Sequence, residues 1–252
     1  MNLFIIIVGL LIGSFLNVCI YRIPRKESII WPGSRCTMCN SRLTPLELIP
    51  VFSFIMLKGR CRSCNGLISR RYPAVELLTA LLIWMVYRRY GIDFTTIYYI
   101  LMTCILIVAA AIDIDYQIIP NGLVLTGFIS GLLFNLLGAS IPFMDGLYGF
   151  LLGGGSLALI AIISLFIFRK QGMGGGDIKL MATVGLYLGW RLTALALVLS
   201  VYIGGITGLL LLITRMKKRG DYIAYGPFLV IGSFVAMLYG ESIIDWYLSS
   251  FW

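Results

Sequence analysis

Residues 172–190 read GMGGGDIKLMATVGLYLGW, with four glycines and one aspartate crowded into the first six positions and thirteen mostly apolar residues behind them. At 1.5 Å per residue a helix over 178–190 is about 20 Å long, too short to cross the roughly 30 Å hydrocarbon layer of a bilayer unaided. Seven further apolar runs accompany it, at 3–20, 73–87, 95–112, 122–137, 146–168, 192–213 and 225–239. The 252 residues are 60% hydrophobic and only 12% charged, with a mean hydropathy of +0.95, well beyond the roughly 45–50% apolar share of soluble domains. The chain therefore reads as an all-α polytopic membrane protein of about eight transmembrane helices. The run at 3–19 has no basic residue ahead of it and no small-residue cleavage site behind it, so it reads as a retained span. The short sixth run is expected to begin below the headgroup level at Asp177, approached by irregular glycine-rich backbone that only protein or a water-filled cavity can cover. Glycine suits such a stretch because it takes φ > 0 without steric cost and lets another backbone come close.

Lysine and arginine number 20 against 11 acids, a net charge of +9. In a membrane chain such an excess reports loop sidedness, so no nucleic-acid partner is expected and the implied partner is the lipid bilayer. The segment between the first two runs holds Arg22, Arg25, Lys26, Arg35, Arg42, Lys58, Arg60, Arg62, Arg70 and Arg71. Eight crossings put Arg169, Lys170, Lys179, Arg215, Lys217, Lys218 and Arg219 on the same face, leaving Arg88, Arg89 and Arg191 on the other. By the positive-inside rule the large loop should be cytoplasmic and both termini outside. The expected division is a first transmembrane helix at 1–21, a small cytoplasmic four-cysteine loop domain at 22–72 and a seven-helix membrane region at 73–252.

The chain contains no histidine, which excludes HExxH metalloprotease sites, Ser-His-Asp triads and Cys-His pairs. Hydrolysis would have to run on Asp, Glu, Lys, Ser or Cys. Cys36, Cys39, Cys61 and Cys64 form two CxxC pairs with 21 residues between them. Two such pairs offer a tetrahedron of thiolates to a structural zinc ion, with Arg35, Arg60 and Arg62 beside them to offset the charge. A reducing compartment argues against permanent disulfides. A thiol-disulfide relay and an unmetallated cysteine pair remain alternatives, while Cys19 and Cys104 lie within apolar runs as small core residues.

Acids inside or at the edge of membrane spans are costly and mark functional positions. Asp113 and Asp115 close the third run in IDIDYQIIPN, residues 112–121, and Asp177 opens the sixth. Two intervening crossings return the chain to the same face, so both acidic motifs share one side of the membrane. Three readings fit. Two carboxylates facing one wet pocket can act as the acid and base of an aspartyl protease. A broken helix bearing acids is equally the device of an ion or solute transporter. Alternatively, Asp113 caps the loop after its helix and Asp177 N-caps the next one.

The residues also resemble a known family, the type IV prepilin peptidases, which are membrane aspartyl proteases of the GxGD class. The resemblance is carried by GSFLNVCIYRIP at 13–24, the paired CxxC knuckles, YPAVELLTA at 72–80, IDIDYQIIPN, GMGGGDIKLMATVGLYLGW and YGPFLVIG at 225–232, in the family's order. It implies that Asp113 and Asp177 are the catalytic pair, with Asp115, Gly174, Gly176 and Lys179 in support and the four cysteines holding zinc. It implies further that the substrates are type IV prepilins or pseudopilins, cut after a glycine on the cytoplasmic side of the bacterial inner membrane to remove a short basic leader. Many members then methylate the new N-terminus with S-adenosylmethionine. Ser41 stands where many members have a histidine, Gly175 fills a variable position often held by an aromatic residue, and no Rossmann fingerprint is present.

Overall fold

The computed structural model describes residues 1–138, 141–169, 173–216 and 223–251. Lys170, Gly172, Lys217, Lys218, Arg219 and Asp221 lie outside the described residues. The chain forms two compact units, Met1–Ile92 and Asp93–Trp252.

The first unit is built on α1 (Asn2–Arg22) and α3 (Arg71–Tyr90), with a 3-10 turn at Pro45–Leu48 and the short α2 (Phe52–Met56) between them. Glycines spaced four apart let the two long helices touch backbone to backbone. A Cβ on Gly9 would lie 2.6 Å from the Ala80 Cα, and one on Gly13 would lie 2.7 Å from the Glu76 Cα. Asn17 is buried on the same stripe and donates to the Tyr72 carbonyl at 3.0 Å, satisfying a polar group that would otherwise be costly there. The opposite face of α1 leaves Leu3, Phe4, Ile7, Leu11 and Phe15 exposed, as a lipid-facing surface requires. Gly9→Leu is expected to destabilise this unit by about 3 kcal/mol, because the colliding atom is backbone and has no rotamer to retreat to. Thermal unfolding in detergent checks it.

The second unit holds α4 (Phe94–Tyr116), α5 (Asn121–Leu136), α6 (Phe143–Phe168), α7 (Gly175–Ile213) and α8 (Gly226–Phe251). The sixth and seventh apolar runs join in α7, but Gly189 interrupts it with φ 71° and ψ 173°. A Cβ on Gly153 of α6 would meet both the Met181 carbonyl and the Thr193 side chain. In a straight helix residues twelve apart are separated by about 18 Å, so the two arms of α7 fold back on each other at Gly189. Counting these arms separately gives eight long helical segments among the described residues. Among the described residues five helices are long and apolar enough to span by composition; α5 is shorter, and α3 carries Glu76, Arg88 and Arg89.

Glycines also bring α6 against the first arm of α7, where Gly149 and Gly185 each point at the other's carbonyl. Buried polar groups then tie α4, α5 and that arm together. The Tyr98 hydroxyl lies 2.9 Å from the Asn135 amide oxygen and 2.8 Å from the Leu186 carbonyl, and the Asn135 amide also donates to that carbonyl at 2.7 Å. Tyr187 stacks on Tyr98 with ring centroids 4.5 Å apart, and its hydroxyl meets Ser130 at 2.7 Å.

Candidate active site and metal centre

One end of the second unit gathers the last turn of α4 and the first turns of α5, α7 and α8. α4 stops when Gln117 takes a left-handed conformation, φ 54°, and Pro120 then leads into α5. Asp113 sits one turn before that stop and is buried, while Asp115, two residues on, is exposed on another face. The Gly226 N–H donates to Asp113 Oδ2 at 3.0 Å. This amide belongs to the first residue of α8, a donor with no partner inside its own helix. A side chain at Gly226 would collide with the acid: a Cβ would lie 2.6 Å from Oδ2, 3.1 Å from Cγ and 3.3 Å from Cβ of Asp113.

Asp177 lies in the first turn of α7, whose N-cap is Gly174. The Asp177 carboxylate accepts a hydrogen bond from the Gly174 amide, and its charge interacts with that of Asp113 and with Tyr225 just ahead of α8. Each acid is therefore held by a backbone amide at a helix N-terminus, where the helix dipole favours negative charge.

Two expectations need correction. Asp177 is the third helical residue rather than the N-cap, because the helix already starts at Gly175. The described glycines of the run also do not serve a left-handed backbone: Gly174 has φ −71°, and Gly175 and Gly176 are helical. Close approach is the reason for Gly176, where a Cβ would lie 2.9 Å from the Ile119 Cβ. Gly175 faces open space, and a Cβ on Gly174 would sit 3.2 Å from Asp177 Oδ2. Lys179 points elsewhere and donates to the Asn121 side-chain oxygen at 3.0 Å, clasping α5 to α7. Asp113, Asp177, Gly174 and Gly176 thus come together around this end, whereas Asp115 faces away and Lys179 acts one step removed.

Two residues escaped the sequence reading. Gly226 had a signal in the Gly-Pro pair that opens the 225–239 run, a helix-start pattern. Glu76 had the signal that singles out Asp113, an acid inside an apolar run.

In the first unit the four sulfurs of Cys36, Cys39, Cys61 and Cys64 lie within 4.8 Å of one another, with Cys36 and Cys64 3.9 Å apart. A zinc tetrahedron with Zn–S bonds of about 2.3 Å has sulfur edges of about 3.8 Å, so the donors fit such an ion. Both knuckles turn alike. The Asn40 and Asn65 amides close back on the Cys36 and Cys61 carbonyls at 2.9 Å, each asparagine with φ near 57°. Hydrogen bonds from the Ser41 hydroxyl and amide pull the Cys39 thiol down to about 6. At Cys64 a Gly66 amide acts in the same direction, but Cys39, burial, Cys61 and Cys36 push its thiol up to about 11. Four clustered sulfurs without a cation cannot all ionise, and a divalent metal removes that conflict. Ser41 supports Cys39 with its hydroxyl 3.0 Å from the sulfur. Cys36→Ser is expected to abolish stoichiometric zinc and lower the unfolding midpoint by about 10 °C, as measured by elemental analysis and a thermal melt.

Fold and site together define a polytopic membrane protein with a carboxylate pair at one end of a helix bundle and a separate four-thiol cluster. Residues 7–90 match the bacterial peptidase A24 N-terminal domain, and residues 100–209 match the type IV leader peptidase family. The chain is 38% identical to a prepilin leader peptidase/N-methyltransferase of Aeromonas salmonicida, over 96% of this chain and 92% of that protein. The protein of that name from Bacillus subtilis is 39% identical over 96% of both chains, and that from Pseudomonas aeruginosa is 35% identical over 96% and 92%. No solved structure matches. The chain belongs to the type IV leader peptidase family and is a multi-pass membrane peptidase.

Proposed function

We propose that this chain is an aspartyl endopeptidase that removes the short basic leader from type IV prepilins or pseudopilins, cutting after a glycine at the cytoplasmic edge of the bacterial inner membrane. The observation that carries the proposal is the pairing of Asp113 and Asp177, brought together from two helix ends and each oriented by one backbone amide. One hydrogen bond per acid fixes an oxygen and leaves the other for water or substrate. Like charges at close range share a proton, so one carboxylate is a base and the other an acid. The base takes a proton from water as its oxygen attacks the scissile carbonyl carbon. The acid then gives its proton to the amide nitrogen as the C–N bond breaks. Gly174 and Gly176 keep the approach narrow in side-chain bulk, Lys179 fixes the neighbouring helix, and the excess of basic residues in the 22–72 segment supports a cytoplasmic orientation for it.

The four cysteines would hold a zinc ion that shapes the 22–72 segment as a small domain, with no part in the bond cleavage. The relatives' names include N-methyltransferase, and we extend that activity to this chain as methylation of the freed N-terminus. Among the described residues no strand element forms, so the strand, glycine loop and helix of a Rossmann cradle have no counterpart. The residues present identify no site for S-adenosylmethionine. Mass spectrometry of a prepilin incubated with membranes containing this chain tests both activities. Loss of the leader at a glycine is expected, with a gain of one methylene's mass where methylation follows. An intact prepilin overturns the assignment.

A further inference from the structure

Glu76 is buried inside the first unit, 7% exposed, and the peptidase chemistry does not use it. Its carboxylate accepts the Val51 N–H at 2.8 Å and the Ser14 hydroxyl. Both helices that meet there give the depth of the contact. Arg22 closes α1 eight residues beyond Ser14, and Arg71 opens α3 five residues before Glu76. At 1.5 Å per residue the Glu76 carboxylate lies about 12 Å and about 8 Å inside those arginines, which belong at the headgroup level. Val51, and α2 which it starts, are therefore held one to two helical turns inside the bilayer surface.

The local backbone turns sharply at that anchor. Val51 takes φ 60° and ψ −47°, a conformation scarce for a β-branched residue, and the Phe52 N–H closes on the Pro50 carbonyl. Beyond the turn, Phe52, Ile55 and Met56 are 57%, 66% and 67% exposed, and Leu46 ahead of it is 70% exposed. Lys58, Arg60 and Arg62 follow at once and are also exposed. An apolar face at this depth with cations at its edge is the pattern of an interfacial segment. Leu77, Leu78 and Leu81 of α3, the helix that bears Glu76, are also exposed.

We propose that residues 46–57 form an interfacial element whose apolar face, carried by Leu46, Phe52, Ile55 and Met56, packs on the acyl chains at the headgroup boundary and is held at that depth by Glu76. The element divides the four-cysteine segment: the knuckles stay in water while the stretch between them dips into lipid. Its test does not involve peptide cleavage. The full chain, carrying the photoreactive residue benzoylphenylalanine at Ile55 or at the exposed control Ser63, is placed in phosphatidylethanolamine–phosphatidylglycerol vesicles and irradiated. Lipid adducts at position 55 should exceed those at 63 by about tenfold, the partitioning of one buried aliphatic side chain. Equal yields, or a protein adduct at 55 in place of lipid, overturn the proposal. Glu76→Ala should lower the adduct at 55 several-fold, and an unchanged yield removes Glu76 from its role as anchor. If that variant fails to accumulate, Glu76→Gln decides instead: it keeps an acceptor for the Val51 amide and must retain the wild-type yield.

Discussion

Membranes carrying Asp113→Asn or Asp177→Asn are expected to leave a co-expressed prepilin uncut, with cleavage slowed by about 10⁴-fold. The size follows from the sharing of one proton. An amide in place of either carboxylate can neither accept the proton of water nor hand one on, and the surviving acid has no partner to restore its state afterwards. Asparagine keeps the size of the side chain and an oxygen that can still accept the Gly226 or Gly174 amide, so each variant should insert and fold. Asp115→Asn is the internal control, since that side chain is exposed on another face of α4, and it should leave the rate nearly unchanged. Full cleavage by either Asp113→Asn or Asp177→Asn would remove the dyad from the mechanism. A solute flux across proteoliposomes that vanishes with Asp177→Asn, with no peptide cut, would assign the broken helix to transport.

Gly226→Ala should lower the cleavage rate by about 100-fold with little change in protein yield, an effect large for one methyl group. At the start of a helix alanine is ordinarily the more stable choice. Here the new carbon would meet Oδ2, Cγ and Cβ of Asp113 at 2.6, 3.1 and 3.3 Å, so a rotation of the carboxylate alone does not relieve the clash. Either Asp113 or the N-terminus of α8 must move by a few tenths of an ångström to an ångström. Displacements of about 1 Å in a reacting group cost about 100-fold. Rate measurements on the purified variant, with the melting curve recorded in parallel, separate this from unfolding. A rate equal to that of the native chain would show that the amide of Gly226 does not set the position of Asp113.

The spans were legible because hydrocarbon demands long apolar runs, and a run of 13 residues after Asp177 marks a discontinuity wherever it occurs. The sequence also marked the acids and the four thiols as candidates, since carboxylates at the edges of apolar runs are costly and twin CxxC spacings suit a tetrahedral ion, while the choice among the readings came from the resemblance. Other features are set by tertiary contact. The Gly-Pro pair marks Gly226 as a helix start, but its need for a bare Cα arises from Asp113, 113 residues away. Gly176 likewise answers to Ile119. The glycine run read as irregular backbone because composition cannot tell a glycine chosen for its dihedrals from one chosen for its small size. Asp113 and Asp115 look equivalent in the chain, and the two-residue step around α4 separates them.

The arm that bears Asp177 is a cantilever. Its clamp lies at Leu186, whose carbonyl receives both Tyr98 and Asn135 deep in the bundle. From there about 14 Å of helix runs back to the carboxylate. Along that length the Gly176–Ile119 contact and the Lys179–Asn121 bond act as guides near the free end. The stiffness of the tip is inherited from a joint about nine residues along the arm, deep in the bundle. A small tilt there, from a lost hydroxyl at Tyr98, is magnified along the beam before it reaches the acid. In this geometry the position of the Asp177 carboxylate depends on hydrogen bonds made two to three helical turns away, by residues that touch neither acid.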